Sequence, residues 1–270
     1  MIYPGKIIYL LIAFSFVFFL CCTENLPQPE INSGQDKVIT RSTVGDIPVP
    51  DGYIRVDCEE NSFGAYLRNL ELNTGDNTVY LYNGEKKRNQ TAQFAIIKMD
   101  VGDRDLQQCA DAVMRLRAEY LYHQKQFDKI HFNFLSDGKP RYYKDYAGQD
   151  TSYKKFRQYM NYIFAYANTA SLSNELVPVN LNDIEPGDVL IQKGKPYGHA
   201  VTVIDVAVNN ESGEKIFMIA QSYMPAQSIH VLKNPKNTNI SPWYYTDNKE
   251  SIVTPEWIFS NDDLKRFAKE

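Results

Sequence analysis

Two side chains in this sequence of 270 residues have the types and the local settings of a nucleophile and its base. Cys109 lies in DRDLQQCADAVMRLRAEYLY, near the start of a periodic helix, and His199 lies in PGDVLIQKGKPYGHAVTVID, where a buried strand follows a glycine turn. A helix N-terminus favours a thiolate, and an imidazole can accept the thiol proton. We therefore predict that Cys109 and His199 are the nucleophile and the base of a cysteine hydrolase that cleaves an amide bond through a thioester.

A third polar group is needed to hold the imidazole ring, and the strand IFMIAQSYM offers two candidates. Gln221 is favoured because its amide oxygen can accept the ring N–H, whereas Ser222 has a shorter reach. A shift of one residue in the hairpin register would exchange the two. Gln227 and His230 are second choices.

Gln108 has two competing interpretations. Its side chain and the backbone N–H of Cys109 are predicted to polarise a substrate carbonyl as an oxyanion hole. In the structural alternative, Asp105 and Gln108 have the spacing of a capping box, which places Cys109 about one turn inside the helix.

Structural alternatives also exist for the two main candidates. Cys109 is, in one alternative, a small core residue, and in another it forms a disulfide with Cys58, the other cysteine of the mature domain. His199 is, in its alternative, a hydrogen-bonded histidine at a strand end. The charged residues of the Cys109 helix are interpreted as a solvated face with local ion pairs: Asp111, Arg115, Arg117 and Glu119.

The elements that must position these residues fall into a helical part followed by strands. Helices are predicted at SFGAYLRNLEL, around Cys109, and along TSYKKFRQYMNYIFAYANTASL. Strands are predicted at GYIRV, TVYLY and QFAIIKM and, after Pro186, at DVLIQ, HAVTVIDVAV, IFMIAQSYM and SIHVL. This order predicts an α+β fold in which helices pack on an antiparallel sheet or half-barrel.

The N-terminal segment has the pattern of an export signal. Residues 1–22 combine Lys6 with an apolar run that ends in two cysteines, and this end resembles the lipobox of bacterial lipoproteins. The resemblance implies that Cys22 is lipidated and anchors the chain to a membrane. An ordinary cleaved signal peptide is the alternative. Residues 23–46 are predicted to be a flexible tether and residues 47–270 a single domain.

The segments around the two main candidates resemble the CHAP and NlpC-type envelope amidases and peptidases. In those families the nucleophile opens a helix, in CHAP after a glutamine as in Gln108-Cys109, and the histidine follows a PGD turn and a glycine, as in 186–188 and Gly198-His199. The resemblance implies a papain-like fold and peptide or peptidoglycan-like substrates in the bacterial cell envelope, at its periplasmic or outer-membrane face. Nearly the whole mature chain is also similar to an uncharacterised family of envelope lipoproteins that contain QQCADAVMRLRAEYL and AQSYMPAQ.

Other classes of function find little support in the sequence. A net charge of −4 with scattered Lys and Arg argues against a nucleic-acid partner. No cofactor is predicted, because the chain has no Walker loop or dinucleotide fingerprint, and no metal site is predicted, because the other histidines lack paired spacing. The competing hypothesis is a catalytically inert papain-like lipoprotein that serves as a binding or scaffolding module.

Overall fold

The computed structural model describes residues 42–246 and 251–268. Cys22, the signal peptide 1–22 and the tether as far as residue 41 lie outside the described residues, so the lipid anchor stays a prediction. The last part of the predicted tether is folded, because Thr43 forms a β-bridge with Glu71 and Val44 is fully buried. The domain thus begins a few residues before Ile47.

The strands of the described residues form one large antiparallel sheet and two small ones. The large sheet contains β1 (Tyr53–Arg55), β2 (Gln93–Ile96), β5 (Leu176–Pro178), β6 (Val189–Gln192), β7 (His199–Asn209), β8 (Lys215–Gln221), β9 (His230–Leu232), β10 (Tyr244–Tyr245) and β13 (Leu264–Phe267). Its order is β2-β9-β8-β7-β6-β13-β5, while β1 pairs with β7 and β10 pairs with β8. The small sheets pair β3 (His131–Asn133) with β4 (Pro140–Tyr142), and β11 (Ile252–Val253) with β12 (Ile258–Phe259).

The helices surround a central one that is buried along most of its length. They are α1 (Phe63–Arg68), α2 (Cys109–His123), α3 (Tyr143–Ala147), α4 (Tyr153–Tyr166) and α5 (Thr169–Glu175). Helix α2 packs on β7, with Ala112 and Leu116 in one apolar cluster and Val113 and Met114 in another. This arrangement confirms the α+β prediction with a large antiparallel sheet. No helix in the described parts of the chain has the length and apolar character needed to cross a membrane.

The long helix predicted after Asp150 is in fact two helices. It breaks after Tyr166, and the side chain of Asn168 accepts hydrogen bonds from the backbone N–H groups of Ala170 and Ser171 to cap α5. Asparagine favours such a cap over a helix interior because its short amide competes for backbone hydrogen bonds. The break matters for the site, because it places Thr169 beside Cys109.

Two further predictions are corrected. The segment TVYLY is not a strand but makes isolated β-bridges, since Tyr80 pairs with Lys86 and Leu81 with Gln227. The charged face predicted on α2 is largely inside the protein: Arg115 is fully buried and bonds to Glu119 and Gln107, and Asp111 is only 7% exposed. Buried partners compensate for the desolvation of the Arg115 and Glu119 charges, which a sequence pattern cannot reveal.

Candidate active site

Cys109 is the first residue of α2, not a residue one turn inside it. Gln108 is the N-cap, and its backbone N–H donates to Oδ2 of Asp111 at 3.1 Å. The predicted capping box between Asp105 and Gln108 is therefore wrong, because the carboxylate that closes the helix end comes from the third helical residue. The position leaves Cys109 at the positive end of the longest helix among the described residues.

The thiol of Cys109 packs against the start of β7. Its Sγ lies 3.9 Å from the carbonyl oxygen of Gly198 and 3.9 Å from Oγ1 of Thr169. Gly198 directly precedes His199, so the chain segments that carry the two main candidates are in contact. Cys58 and Cys109 are both free thiols, which excludes the disulfide alternative. The hydrogen bonds of Sγ in the described structure go to Thr169 and Gly198, and none goes to the ring of His199.

The glycine before His199 is required by close packing. A Cβ at Gly198 would lie 2.3 Å from the carbonyl oxygen of Gln192 and 3.0 Å from Cγ2 of Thr169. Gly187 in the preceding turn has a φ of +100°, and Asp188 beside it accepts the N–H of Glu185 and pairs with Arg266. The glycines of this segment therefore let β6 and β7 approach closely and bring His199 to the N-terminus of α2.

His199 is nearly inaccessible and is held by side chains from several elements. Its ring is 1% exposed and lies within about 6 Å, between ring centroids, of three aromatic rings: Tyr223 at 4.9 Å, Trp257 at 5.1 Å and Phe259 at 5.8 Å. Its Nε2 lies 2.8 Å from Oε1 of Gln221 at the end of β8. The structure thus brings together His199 and the favoured one of the two strand candidates.

The other candidates for the third group lie elsewhere. The hydroxyl of Ser222 bonds to the carbonyl oxygens of Gln107 and Gln227, away from the imidazole. Gln227 is buried, and its backbone N–H donates to that same hydroxyl. His230 contacts Gln221 instead of His199, at 3.4 Å between its Nε2 and the amide nitrogen of Gln221.

The hydrogen bonds around Gln221 decide which nitrogen of each histidine carries the proton. Nδ1 of His230 lies 2.8 Å from the carbonyl oxygen of Ser228, which can only accept, so the lone pair of His230 is on Nε2. That lone pair and the carboxylate of Glu256, at 2.8 Å, both accept from the amide nitrogen of Gln221. The amide oxygen consequently faces His199 and accepts its Nε2–H. Nδ1 of His199 is then the nitrogen that is free of a proton.

Glu256 and Lys87 are members of this network that the sequence analysis missed. Glu256 lies in the turn between β11 and β12, forms an ion pair with Lys87 and accepts a hydrogen bond from Nδ2 of Asn89 at 3.0 Å. These residues come from loops distant in the sequence from Gln221. No motif or spacing marks them, and only the fold brings them together.

Burial sets the protonation of the candidate pair. It lowers the pKa of His199 to about 4, against the contribution of its hydrogen bond to Gln221, and lowers the pKa of His230 to about 4 as well. Burial also raises the pKa of the Cys109 thiol, and the nearby carboxylate of Asp111 adds to this effect. Burial and Asp111 therefore oppose the effect expected of the helix dipole on the thiol. At neutral pH the two groups are a neutral thiol and a neutral imidazole.

A cleft of about 340 Å³ opens next to Cys109. Its polar and charged lining includes Asp105, Gln108, Asp111, Asn168, Thr169 and Lys193, and Tyr197 and Met224 add apolar surface. Gly198 lines the cleft, whereas the buried His199 that follows it is not among the lining residues. Within residues 42–246 and 251–268, no three His, Cys, Asp or Glu side chains are grouped as a metal site would require.

The side chain of Gln108 lines the same cleft. Its amide nitrogen donates to Oδ1 of Asp105 at 3.0 Å, and that oxygen also accepts the backbone N–H of Ala226 at 2.7 Å. Asp105 thus fixes Gln108 at the mouth of the cleft, next to the thiol that it precedes. The position agrees with either use of Gln108, as the N-cap residue or as a donor to a substrate carbonyl.

Comparison with known proteins gives a family for this chain. The sequence profile of a family described as domain of unknown function 4846 (DUF4846) matches residues 44–266. Searches of curated proteins and of solved structures returned no match. The match spans nearly the whole α+β domain described above and includes Cys109, His199 and Gln221. The chain therefore belongs to the DUF4846 family.

Proposed function

We propose that this protein is a cysteine amidase or peptidase with a papain-like arrangement, tethered to the bacterial cell envelope through Cys22. The observation that carries the proposal is the position of Cys109 at the N-terminus of α2, against the strand start that presents His199, with the Nε2–H of His199 fixed by Gln221. A nucleophile, a base and an orienting group are the three parts that this chemistry needs. The lipobox and the resemblance to CHAP and NlpC enzymes suggest peptidoglycan peptides as the substrate.

The protonation states favour a mechanism that starts from a neutral pair. As Sγ of Cys109 attacks the substrate carbonyl, its proton passes to Nδ1 of His199. The imidazolium then delivers that proton to the leaving amine, and a thioester remains on Cys109. Water, deprotonated by His199, hydrolyses the thioester and restores the thiol. The described structure has no hydrogen bond between Sγ and the ring of His199. This is compatible with the proposed role, because catalytic hydrogen bonds are often long or poorly aligned before substrate binds.

Two groups support the developing charges. Gln221 holds the imidazolium by accepting its Nε2–H, and Glu256 supplies a negative charge one hydrogen bond further away. In the proposed mechanism the backbone N–H of Cys109 and the side chain of Gln108, two residues that line the cleft, receive the oxyanion. Preorganised donors of this kind lower the barrier because they need no rearrangement as charge develops.

The proposal is tested by looking for the thioester. The full chain is incubated with purified peptidoglycan peptides, and its intact mass and its released peptides are followed by mass spectrometry. We expect new amino termini, and an acyl adduct on Cys109 that hydroxylamine removes. Both should disappear in Cys109→Ala, hydrolysis should be lost in His199→Ala, and both should persist in Cys58→Ala, the matched control for the second free thiol. Binding of the peptides without cleavage or adduct would support the binding-module alternative instead.

A further inference from the structure

Asp111 has a feature that neither the capping of α2 nor the proposed chemistry uses. The residue is 7% exposed and lines the cleft next to Cys109. Its Oδ2 accepts the backbone N–H of Gln108, but its Oδ1 is buried and has no hydrogen-bond partner among the described residues. A buried carboxylate oxygen without a hydrogen-bond donor lowers the stability of the protein. Binding of a group that donates a hydrogen bond to Oδ1 of Asp111 would therefore be favoured.

Several other polar groups of the cleft are already engaged. Oδ1 of Asn168 caps α5, Nζ of Lys193 bonds to Asn174 at 2.6 Å, and Oδ1 of Asp105 accepts two N–H groups. Among the described residues that line this cleft, Oδ1 of Asp111 is the buried side-chain oxygen that has no hydrogen-bond partner. Asp105 and Asp111 together outnumber Lys193 there, so the charged side chains of the lining favour a cation.

We propose that Asp111 binds a protonated amino group of the substrate, next to the amide bond that Cys109 attacks. The proposal rests on the hydrolase function proposed above and specifies its substrate class as amides that carry a free amine close to the scissile carbonyl. A cation would complete the hydrogen bonding of Oδ1 and offset its desolvation, which at present raises the pKa of Asp111. It would also neutralise the carboxylate that raises the pKa of the Cys109 thiol, so substrate binding would make the thiolate easier to form.

The test uses thiol reagents of similar length and different charge, so it does not depend on turnover. Aminoethyl, hydroxyethyl and sulfonatoethyl methanethiosulfonate react with the full chain at mildly alkaline pH, and peptide mass mapping follows Cys109. Each rate is divided by the rate of that reagent with a small free thiol. We expect the cationic reagent to exceed the neutral one by about tenfold at Cys109, the scale of one partly screened charge pair. The anionic reagent should be the slowest.

Asp111→Asn should abolish this preference, measured within the variant as the ratio of the cationic to the neutral rate, because asparagine carries no charge but keeps an oxygen for the N–H of Gln108. The neutral rate itself should rise, because the carboxylate that raises the pKa of the Cys109 thiol is gone. Asp111→Ser serves the same purpose if the first variant does not fold. Asp105→Asn, which removes a charge from the same cleft, should keep most of the preference. The proposal would be overturned if the three reagents reacted with Cys109 at equal rates or if none of them reacted with it. It would also be overturned if the variants without the Asp111 carboxylate kept the preference for the cationic reagent. Loss of turnover with an intact preference would overturn only the hydrolase function.

Discussion

Oε1 of Gln221 accepts the Nε2–H of His199 at 2.8 Å, while the amide nitrogen of Gln221 donates to Glu256 and faces the lone pair of His230. The carboxylate of Glu256 and the backbone carbonyl that fixes the tautomer of His230 can only accept hydrogen bonds, so they determine how the amide of Gln221 is oriented. The orientation of that amide in turn determines the tautomer of the buried His199. The result is a histidine whose Nδ1 is free to accept a proton.

Gln221→Ala should lower kcat by about tenfold or more, within the range that a positioned base contributes, and should change alkylation of the resting thiol less. The imidazole keeps its aromatic neighbours in this variant but loses the acceptor that holds it as charge develops. Gln221→Glu should also be impaired, because the new carboxylate would lie against Glu256.

Ser222→Ala should lower the free energy of unfolding by about 1 kcal/mol, through its lost hydrogen bonds, with little effect on the tautomer of His199. Steady-state kinetics and urea unfolding separate these effects. If Gln221→Ala left kcat unchanged and Ser222→Ala lowered it, the assignment of Gln221 as the orienting group would be contradicted.

Glu256→Ala should change the tautomer of His199. Without the carboxylate, the amide of Gln221 loses one of the two acceptors that fix its orientation, so the ring should populate both neutral forms. The chain has only four histidines, which makes nitrogen NMR of histidine-labelled protein practicable. We expect a single Nε2–H form for His199 in the wild type and a mixture in the variant. Glu71→Ala, which removes an exposed ion pair with Lys98, is the matched control and should leave the spectrum of His199 unchanged. An Nδ1–H form in the wild type would refute the deduced polarity.

Turnover should depend on pH through the base form of His199. Its pKa of about 4 means that kcat/KM should rise with pH along an acid limb near pH 4 and stay high through neutral pH. A thiolate–imidazolium pair would instead require a protonated imidazole and would lose activity as that proton left. Profiles of kcat/KM against pH distinguish the two. An activity that falls between pH 5 and 8 would show that the pair rests as ions.

Stability should also depend on pH through the buried histidines. In the unfolded chain His230 binds a proton near pH 6.5, whereas in the folded protein its pKa is about 4, so stability is lost as pH falls through this window. The loss is about 3 kcal/mol for this residue. Glu175, whose pKa is raised to about 7, gives a change of the opposite sign over part of the same range. The free energy of unfolding of wild type and of His230→Asn, measured with urea at each pH, isolates the contribution of His230. If the two plots of this free energy against pH were parallel, His230 would contribute nothing to the pH dependence.

Replacement of Cys22 by Ala should release the protein from membranes. The signal segment ends in a lipobox-like pattern, and one acylated cysteine is the anchor that the sequence predicts. Fractionation of cells that express wild type and Cys22→Ala measures the effect, and Cys21→Ala is the neighbouring control. Retention of the Cys22 variant in the membrane fraction would contradict the lipoprotein prediction.

The sequence by itself determined the elements and the principal residues of the candidate site. Helical periodicity marked α2, alternating and continuous apolar runs marked β6 to β8, and the glycine turns marked the place where His199 begins its strand. Gln221 could be preferred over Ser222 because a side-chain amide reaches further than a hydroxyl, and its contact with His199 agrees with that reasoning. These are local properties, since they depend on neighbours within a few residues along the chain.

Only the tertiary structure decided the polarity and the protonation of the site. Glu256 reaches Gln221 from a loop far along the chain, and Lys87 pairs with Glu256 from another loop. The burial of Arg115 and Asp111 reverses the solvated face that their spacing suggested. Burial raises the pKa of the thiol and lowers the pKa of the imidazole, so both favour their neutral forms, and desolvation depends on everything that packs around a group. Such environments are properties of the folded chain, so no local pattern in the sequence encodes them.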